Sequence, residues 1–277
     1  MVGAKVDHAV GSDQANAGFW SELCGSALAR TLGITTVTAD ALRRFDATYM
    51  ALYPYLWNYV RHENLQGQRV LEIGLGYGTL GQILAGRRAQ YSGLDVAASA
   101  VSLMRHRLAL ARIGRAAAVQ VGSALAIPHR DASFDYVYSI GCLHHTGNLP
   151  RAIDEVARVL VPGGKAIVML YHRHSYRQWI ERARFRLRCG GRAPKAELER
   201  CLRGLYDTNA YGTAAPFTAY VSRREVRRLF CRFSTVRIDT RNAEGLAVGG
   251  RLRIPRDRLL ENVARVAGLD LYVVAVR

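Results

Sequence analysis

The residues best able to do chemistry fall into two sets. Glu72, Gly74, Gly76 and Gly78 stand at alternate positions in VLEIGLGYG, and a second acid, Asp95, closes the YSGLD stretch that follows. Glycine at a turn admits backbone angles closed to other residues and lets a ligand lie against the main chain. A helix starting just beyond such a turn offers N–H groups that have no partner inside it. A carboxylate at a strand tip can accept both hydroxyls of a ribose. These types and spacings describe a grip for a nucleoside-containing cofactor. The second set is His144, His145 and His172, each at the end of an apolar run. Histidine titrates near neutrality and suits a general base.

Positioning the first set requires a particular order of elements. Val70 to Ile73 is an apolar run that reads as a buried parallel strand. A helical pattern (Leu80, Ile83, Leu84) starts near Thr79, and Tyr91 to Leu94 reads as a short strand ending on Asp95. Strand, glycine turn, helix, strand and acid make one βαβ unit. Two cofactor classes fit it. Gly76-x-Gly78-x-x-Gly81 matches the dinucleotide fingerprint. Glu72-x-Gly74-x-Gly76-x-Gly78 is similar to the acidic glycine loop of class I S-adenosylmethionine methyltransferases. In the dinucleotide pattern the first glycine closely follows the strand, whereas here Gly74 already ends it two residues before Gly76.

Before this unit, Met1 to Ala17 reads as a loose tail and Phe19 to Leu32 as a short amphipathic helix. Ala39 to Val60 reads as a longer, aromatic-rich helix interrupted at Pro54. Trp20 and Tyr53 are candidates for contact with cofactor or substrate. After the unit, Ser99 to Ile113 is a basic amphipathic helix, Val119 to Val121 a third strand and Phe134 to Ile140 a fourth. Gly141-Cys142-Leu143-His144-His145 stands at the tip of the fourth. A helix from Leu149 to Leu160 is stopped by Pro162-Gly163-Gly164. A fifth strand, Lys165 to Leu170, leads to Tyr171 and His172.

VLEIGLGYG, GLD, FDYVYSIGCLHH and EVARVLVPGGKAIVM occur in the order and spacing of class I S-adenosylmethionine-dependent methyltransferases. From about Leu65 to Leu170 the chain resembles the group that methylates small molecules. The resemblance implies an α/β fold: a Rossmann-like, seven-stranded sheet with helices on both faces and an antiparallel last strand. Phe233 to Thr240 and Leu271 to Val276 would supply the closing strands, with a helix from Arg256 to Ala267 between them. The basic stretch from Tyr171 to Thr213 is too long for a plain connection and reads as a helical lid. Ser222-Arg223-Arg224-Glu225 is a capping box opening a helix. The expected division is a helical cap over 1–60, a cofactor core over 61–170, a lid over 171–221 and the rest of the sheet over 222–277.

The resemblance also implies roles. S-adenosyl-L-methionine would be the methyl donor and S-adenosyl-L-homocysteine the product. Glu72, Gly74, Gly76 and Gly78 would meet the methionine end, Asp95 the ribose hydroxyls, Val96 the adenine face, and Ser123 and Ala124 the adenine edge. Ser139 would sit near the sulfonium. Ser123 stands where the family often has an acid. His144 and His145 are the candidate bases, and Tyr171 and His172 would shape the substrate pocket beside Trp20 and Tyr53.

Composition sets the partners. The 39 basic residues against 22 acidic ones give +17, and all but three of the bases (Lys5, Lys165, Lys195) are arginine. Arginine suits phosphate and carboxylate recognition, which leaves an anionic small-molecule acceptor open. The most direct expectation is O-methylation of a small molecule, in natural-product or cell-envelope sugar biosynthesis. RNA methylation, or a reaction other than methyl transfer at the same cofactor, is the alternative. Nucleic acid is the less favoured partner, because no RNA-binding domain is appended and the fourth-strand tip reads GCLHH rather than Asn-Pro-Pro-Tyr. The five cysteines lack metal-ligand spacing, so reduced thiols and no metal are expected. Without a secretion-signal pattern or a run long enough to span a membrane, a soluble cytoplasmic protein is expected. The oligomeric state is not legible.

Overall fold

The computed structural model describes residues 3–21, 27–60, 64–114, 117–189, 195–204, 206–209, 211–248 and 252–277. Helices α1 (Gly3–Trp20), α2 (Ala27–Thr31), α3 (Ala39–Leu52) and, after a 3₁₀ turn at Pro54–Leu56, α4 (Trp57–Val60) precede the first strand. Strands and helices then alternate: β1 (Arg69–Ile73), α5 (Thr79–Gly86), β2 (Gln90–Asp95), α6 (Ala98–Leu110), β3 (Ala117–Val121), β4 (Phe134–Ile140), α7 (Leu149–Val159) and β5 (Leu160–His172). Next come α8 (Tyr176–Arg188), α9 (Lys195–Arg203), β6 (Tyr220–Val221), α10 (Arg223–Leu229) and β7 (Thr235–Arg241). The chain closes with a hairpin of β8 (Leu246–Val248) and β9 (Leu252–Ile254), then α11 (Arg256–Glu261), α12 (Val263–Ala267) and β10 (Asp270–Val276).

The main sheet runs β3-β2-β1-β4-β5-β10-β7. β1 to β5 are parallel, and β10 lies antiparallel between β5 and β7, as the resemblance implies. The short β6 adds an eighth strand, pairing Tyr220 with Tyr171 beside the end of β5. Alternation assigns the two faces of the sheet. Val70, Tyr138, Ile167 and Tyr272 pack with Leu80, Leu84 and Met104 of α5 and α6 on one side. Leu71, Val137, Val168 and Val273 pack with Ile153, Val156, Val226 and Phe230 of α7 and α10 on the other. Full burial of each such side chain contributes about 1.5–3 kcal/mol. Because β1 is flanked by β2 and β4, the strand order reverses at its carboxyl end, and a crevice opens there.

Several expectations change in detail. Met1 to Ala17 is not a loose tail: α1 runs unbroken from Gly3 to Trp20. Among its described side chains the fully buried ones are polar, Ser12 and Asn16, with Trp20 packed against the core at its end. The expected helix from Phe19 to Leu32 divides between the end of α1 and α2, and 22–26 lie outside the described residues. The helix stopped at Pro162 in fact ends at Val159, and Pro162-Gly163-Gly164 becomes an irregular start to β5, with a register shift against β4. Gly163 takes φ +80 there, and proline is tolerated at such irregularities. The expected helix from Arg256 to Ala267 is two short helices broken at Asn262, and the β8–β9 hairpin has no counterpart in the sequence reading. The capping box at Ser222 and Glu225 is present as expected.

One polar knot fixes the N-terminal helices against the sheet. The fully buried Arg107 side chain of α6 donates to both carboxylate oxygens of Asp46 on α3 at 2.9 Å, and Asp46 also accepts the Thr79 hydroxyl at 2.6 Å. Tyr77 of the glycine loop stacks on Phe45 of α3 at 4.1 Å. Among the described residues, Cys142, Cys189, Cys201 and Cys231 are free thiols, while Cys24 lies outside them. No helix among the described residues is long and apolar enough to cross a membrane.

Candidate active site

Two cavities open at the carboxyl end of the parallel strands and meet at Gly74, Gly76, Ile140 and Gly141. The loop after β1 makes the junction. Gly74 has φ +85, and a Cβ there would fall 2.3 Å from the Cβ of Cys142, so β1 and the β4 tip can approach this closely only with glycine. Gly76 has φ +51, and a Cβ there would meet nothing within 4 Å: its bare face looks into open space. Gly78, at φ +80, is the N-cap of α5.

The first cavity lies over β2 and β3, where Asp95, Val96 and Ala124 line it. The Asp95 carboxylate accepts the Leu75 N–H at 2.7 Å and the Ala97 N–H at 2.8 Å. Burial raises its pKa, and backbone N–H groups from Ala97, Leu75, Gly76 and Val96 pull it back down. Trp20, Asp13 and Asn16 of α1 line the same space.

The second cavity, of about 430 Å³, is lined by Tyr49, Tyr53, Tyr171, Tyr206 and Tyr272 together with Glu72, Asp207, Glu244 and Asp270. Burial pushes the Asp270 carboxyl up to about 7, against the hydrogen bond that Asn242 donates at 2.9 Å. Burial likewise pushes Glu72 up to about 8, although the Tyr91 hydroxyl donates to it. The lining arginine, Arg177, bonds Glu244 at 2.9 Å and lies over the Tyr206 ring at 4.6 Å.

Between the cavities stands His145, in the first cavity's wall. Its Nδ1 is 2.8 Å from the Phe217 carbonyl, so Nδ1 carries the hydrogen and Nε2 faces the Asp207 carboxylate at 3.4 Å. Asp207 Oδ2 also accepts the Tyr171 hydroxyl at 2.8 Å. Burial alone would raise the Asp207 pKa, but the His145 and Tyr171 contacts outweigh it and hold the carboxyl below its ordinary range. Trp20 covers His145 with ring centroids 4.9 Å apart.

Residues 71–168 match the methyltransferase domain family. The chain carries a class I, S-adenosyl-L-methionine-dependent methyltransferase domain. Its relatives include the fatty-acid O-methyltransferase of Mycolicibacterium smegmatis, 33% identical over 48% of this chain and 46% of that protein. The phthiotriol/phenolphthiotriol dimycocerosates methyltransferase of Mycobacterium leprae is 37% identical over 36% and 37%. The chain thus spans less than half the length of these curated relatives. Among solved structures, an S-adenosylmethionine-dependent methyltransferase from Mesorhizobium loti superposes with TM-score 0.53 at 17% identity, covering 80% of this chain and 97% of that one. A chain from the complex of the Haloferax volcanii Trm112 activator with its methyltransferase gives 0.56 at 17%, covering 86% and 94%. These two share the fold.

The fold brings most of the expected site residues together. Gly74, Gly76, Asp95, Val96, Ala124, Trp20 and His145 line the first cavity, and Glu72, Gly74, Gly76, Gly78, Tyr53 and Tyr171 the second. Four expected residues line neither. Ser139 is wholly buried and donates to the Ile73 carbonyl at 2.9 Å, tying β4 to β1 beneath the glycine loop. Ser123 accepts the Leu125 N–H at 3.0 Å and bonds Asp13. His172 is buried with its Nδ1 on the Gly268 carbonyl at 3.0 Å. His144 is buried between the rings of His145 and Tyr171, at 4.2 and 4.1 Å, and burial drives its pKa well down. Asp13, Asn16, Asp207, Asp270 and Glu244 were missed. They sit in segments of no recognisable motif, and only the fold carries them to the strand tips.

Proposed function

We propose that the chain transfers a methyl group from S-adenosyl-L-methionine to a hydroxyl of a small molecule held in the tyrosine-lined cavity. The observation that carries this reading is the junction at Gly76: a cavity built around a ribose-type acid opens there into one built of tyrosines and carboxylates. When bound, the cofactor supplies an electrophilic methyl on a positive sulfur. Asp95 would hold its ribose hydroxyls, Val96 and Ala124 its base, and the bare face of Gly76 would admit it against the loop. Gly74 and Glu72 would meet the methionine end, where the raised Glu72 carboxyl ionises readily beside an ammonium. The open face of Gly76 and the Asp95 carboxylate, oriented by the Leu75 and Ala97 N–H groups, fit such a ligand.

The chain's own residues then orient the acceptor and take its proton. Asp207 lines the acceptor cavity in its ionised form and can accept a hydrogen bond from an entering hydroxyl. His145 Nε2 stands behind it at 3.4 Å and the Tyr171 hydroxyl donates to it, so the carboxylate is held in place to take the proton itself. The Phe217 carbonyl keeps Nδ1 protonated and Nε2 turned to Asp207. A weak base suffices, because an oxygen gaining a bond to carbon becomes strongly acidic. His145 therefore acts through Asp207, and His144 packs behind it. The names of relatives, an O-methyltransferase acting on fatty acids among them, support a small-molecule acceptor. Asp207, Asp270 and Glu244 against Arg177 weigh against an anionic acceptor or RNA in this cavity.

The test is methyl transfer from labelled S-adenosyl-L-methionine to a panel of hydroxylated small molecules, with the position of the label assigned by NMR. Label on an acceptor oxygen is expected. Label found on nitrogen or carbon across the panel would overturn the hydroxyl assignment.

A further inference from the structure

The adenine end of the first cavity has an unusual source of negative charge. At the β3 tip the chain reads Gly122-Ser123-Ala124, with no acid. Ser123 Oγ accepts the Leu125 N–H at 3.0 Å, which leaves its hydroxyl hydrogen free to donate. The acceptor it meets is the carboxylate of Asp13, on α1. Asp13, Asn16 and Trp20 are spaced along one face of α1, and all three line the cavity that Asp95, Val96 and Ala124 line from the sheet. Asn16 pins that face: its Nδ2 donates to the His145 carbonyl at 2.9 Å, while its Oδ1 is buried with no partner among the described residues. A carboxylate offers about four acceptor sites, and Ser123 uses one. Burial raises the Asp13 pKa, as expected of a carboxylate short of donors.

We propose that Asp13 selects adenine: its carboxylate accepts an N–H of the cofactor's 6-amino group, and α1 is the strap that brings it there. The assignment rests on the cofactor reading above. Adenine presents a donor at position 6, whereas hypoxanthine presents a carbonyl oxygen that a carboxylate repels. The ribose remains with Asp95, so base and sugar are read by acids from different elements. The acid missing from the β3 tip is replaced from another part of the chain, and Ser123 serves to aim it.

The experiment is calorimetric titration of the full chain with S-adenosyl-L-homocysteine and with S-inosyl-L-homocysteine, its 6-oxo counterpart. The wild type is expected to bind the adenine ligand more tightly by about tenfold or more, the worth of one charge-assisted hydrogen bond. Asp13→Asn, whose amide can face either edge, is expected to shrink the preference to about twofold or reverse it. Ser123→Ala, which removes the aiming hydroxyl, is expected to shrink it part-way. An unchanged preference in Asp13→Asn overturns the proposal, as does a wild type that binds both ligands equally. If Asp13→Asn does not fold, by circular dichroism, an unchanged preference in Ser123→Ala overturns it instead. A folded wild type that binds neither ligand overturns the cofactor reading itself.

Discussion

The cavities on either side of Gly76 are built in opposite ways. On the sheet, the proposed cofactor side comes from three successive strand tips: Gly74 and Gly76 after β1, Asp95 and Val96 after β2, Ala124 after β3. The proposed acceptor side is gathered from remote segments: Tyr53 beyond α3, Tyr171 on β5, Asp207 after α9 and Asp270 at the start of β10. The first is rigid, parallel and organised by backbone. The second is organised by side chains, and its carboxylates are pushed in opposite directions, Asp207 down and Asp270 up to about 7. A cofactor shared by many enzymes can be held by strand tips. An acceptor peculiar to one enzyme has to be met by what is added to them.

The comparison breaks first if the sheet does not own the cofactor. Asp95→Ala removes the acid that would hold both ribose hydroxyls, two charge-assisted hydrogen bonds of about 1.5–3 kcal/mol each. Affinity for S-adenosyl-L-homocysteine should fall by about a thousandfold in calorimetry, while the variant stays folded. Retention of affinity within a few-fold would mean that the cofactor is held elsewhere.

Next in size is the effect of pH on stability, which reads the acid buried on β1 beneath the loop. The folded-state pKa of Glu72, about 8, lies above its ordinary 4.5. The fold therefore favours the protonated form: that stabilisation is full below pH 4.5 and is lost as pH rises towards 8. Asp270, raised to about 7 from 3.8, acts in the same direction over a lower window. Glu72→Gln keeps an acceptor for the Tyr91 hydroxyl and has no charge to bury. In denaturant unfolding without ligand, the wild type should lose a few kcal/mol more than the variant between pH 4.5 and 8. Parallel curves would show that Glu72 ionises freely.

This division also sets what was legible in the sequence. Glu72, the glycines and Asp95 lie within one βαβ unit, where spacing along the chain is position in space, so the loop and its two flanking strands could be read almost to the residue. Histidines at strand tips could be located but not aimed. His145 lines the first cavity, while its neighbour His144 is buried behind it and His172 turns to Gly268. Asp207 was illegible for a deeper reason. It follows the basic stretch of α8 and α9, and its partners are Tyr171 and His145, 36 and 62 residues earlier in sequence. Nothing local marks it. α1 escaped for yet another reason: among its described side chains the fully buried ones are the polar Ser12 and Asn16.

Asp207→Asn sharpens the acceptor side. It keeps the shape and an acceptor oxygen for Tyr171 but removes the charge beside His145. Turnover should drop by about a hundredfold, as for loss of a positioned base, with affinity for S-adenosyl-L-homocysteine unchanged. The pH profile should change with it, because the proton no longer has a carboxylate to reach. A variant that keeps wild-type turnover and pH profile would leave proximity as the whole of the catalysis.

The smallest effect falls at the border between the two sides. Tyr53 lines the second cavity, packs on Tyr49 at 4.9 Å between centroids and has the Arg256 guanidinium 5.9 Å from its ring. Burial raises its hydroxyl to about 12, with the Asp270 charge adding to the rise. At neutral pH the group is a neutral donor, able to hold an acceptor molecule but not to take its proton. Tyr53→Phe keeps the ring and its packing and removes one hydrogen bond of about 1 kcal/mol. KM for the acceptor should rise about fivefold, with kcat and cofactor affinity unchanged, because the contact is made equally in ground and transition states. A drop in cofactor affinity with KM unmoved would instead put Tyr53 with the strand tips. The junction at Gly76 would then be the middle of the cofactor's site, and the acceptor's share of the cavity would shrink to the part around Tyr171, Tyr206 and Asp207.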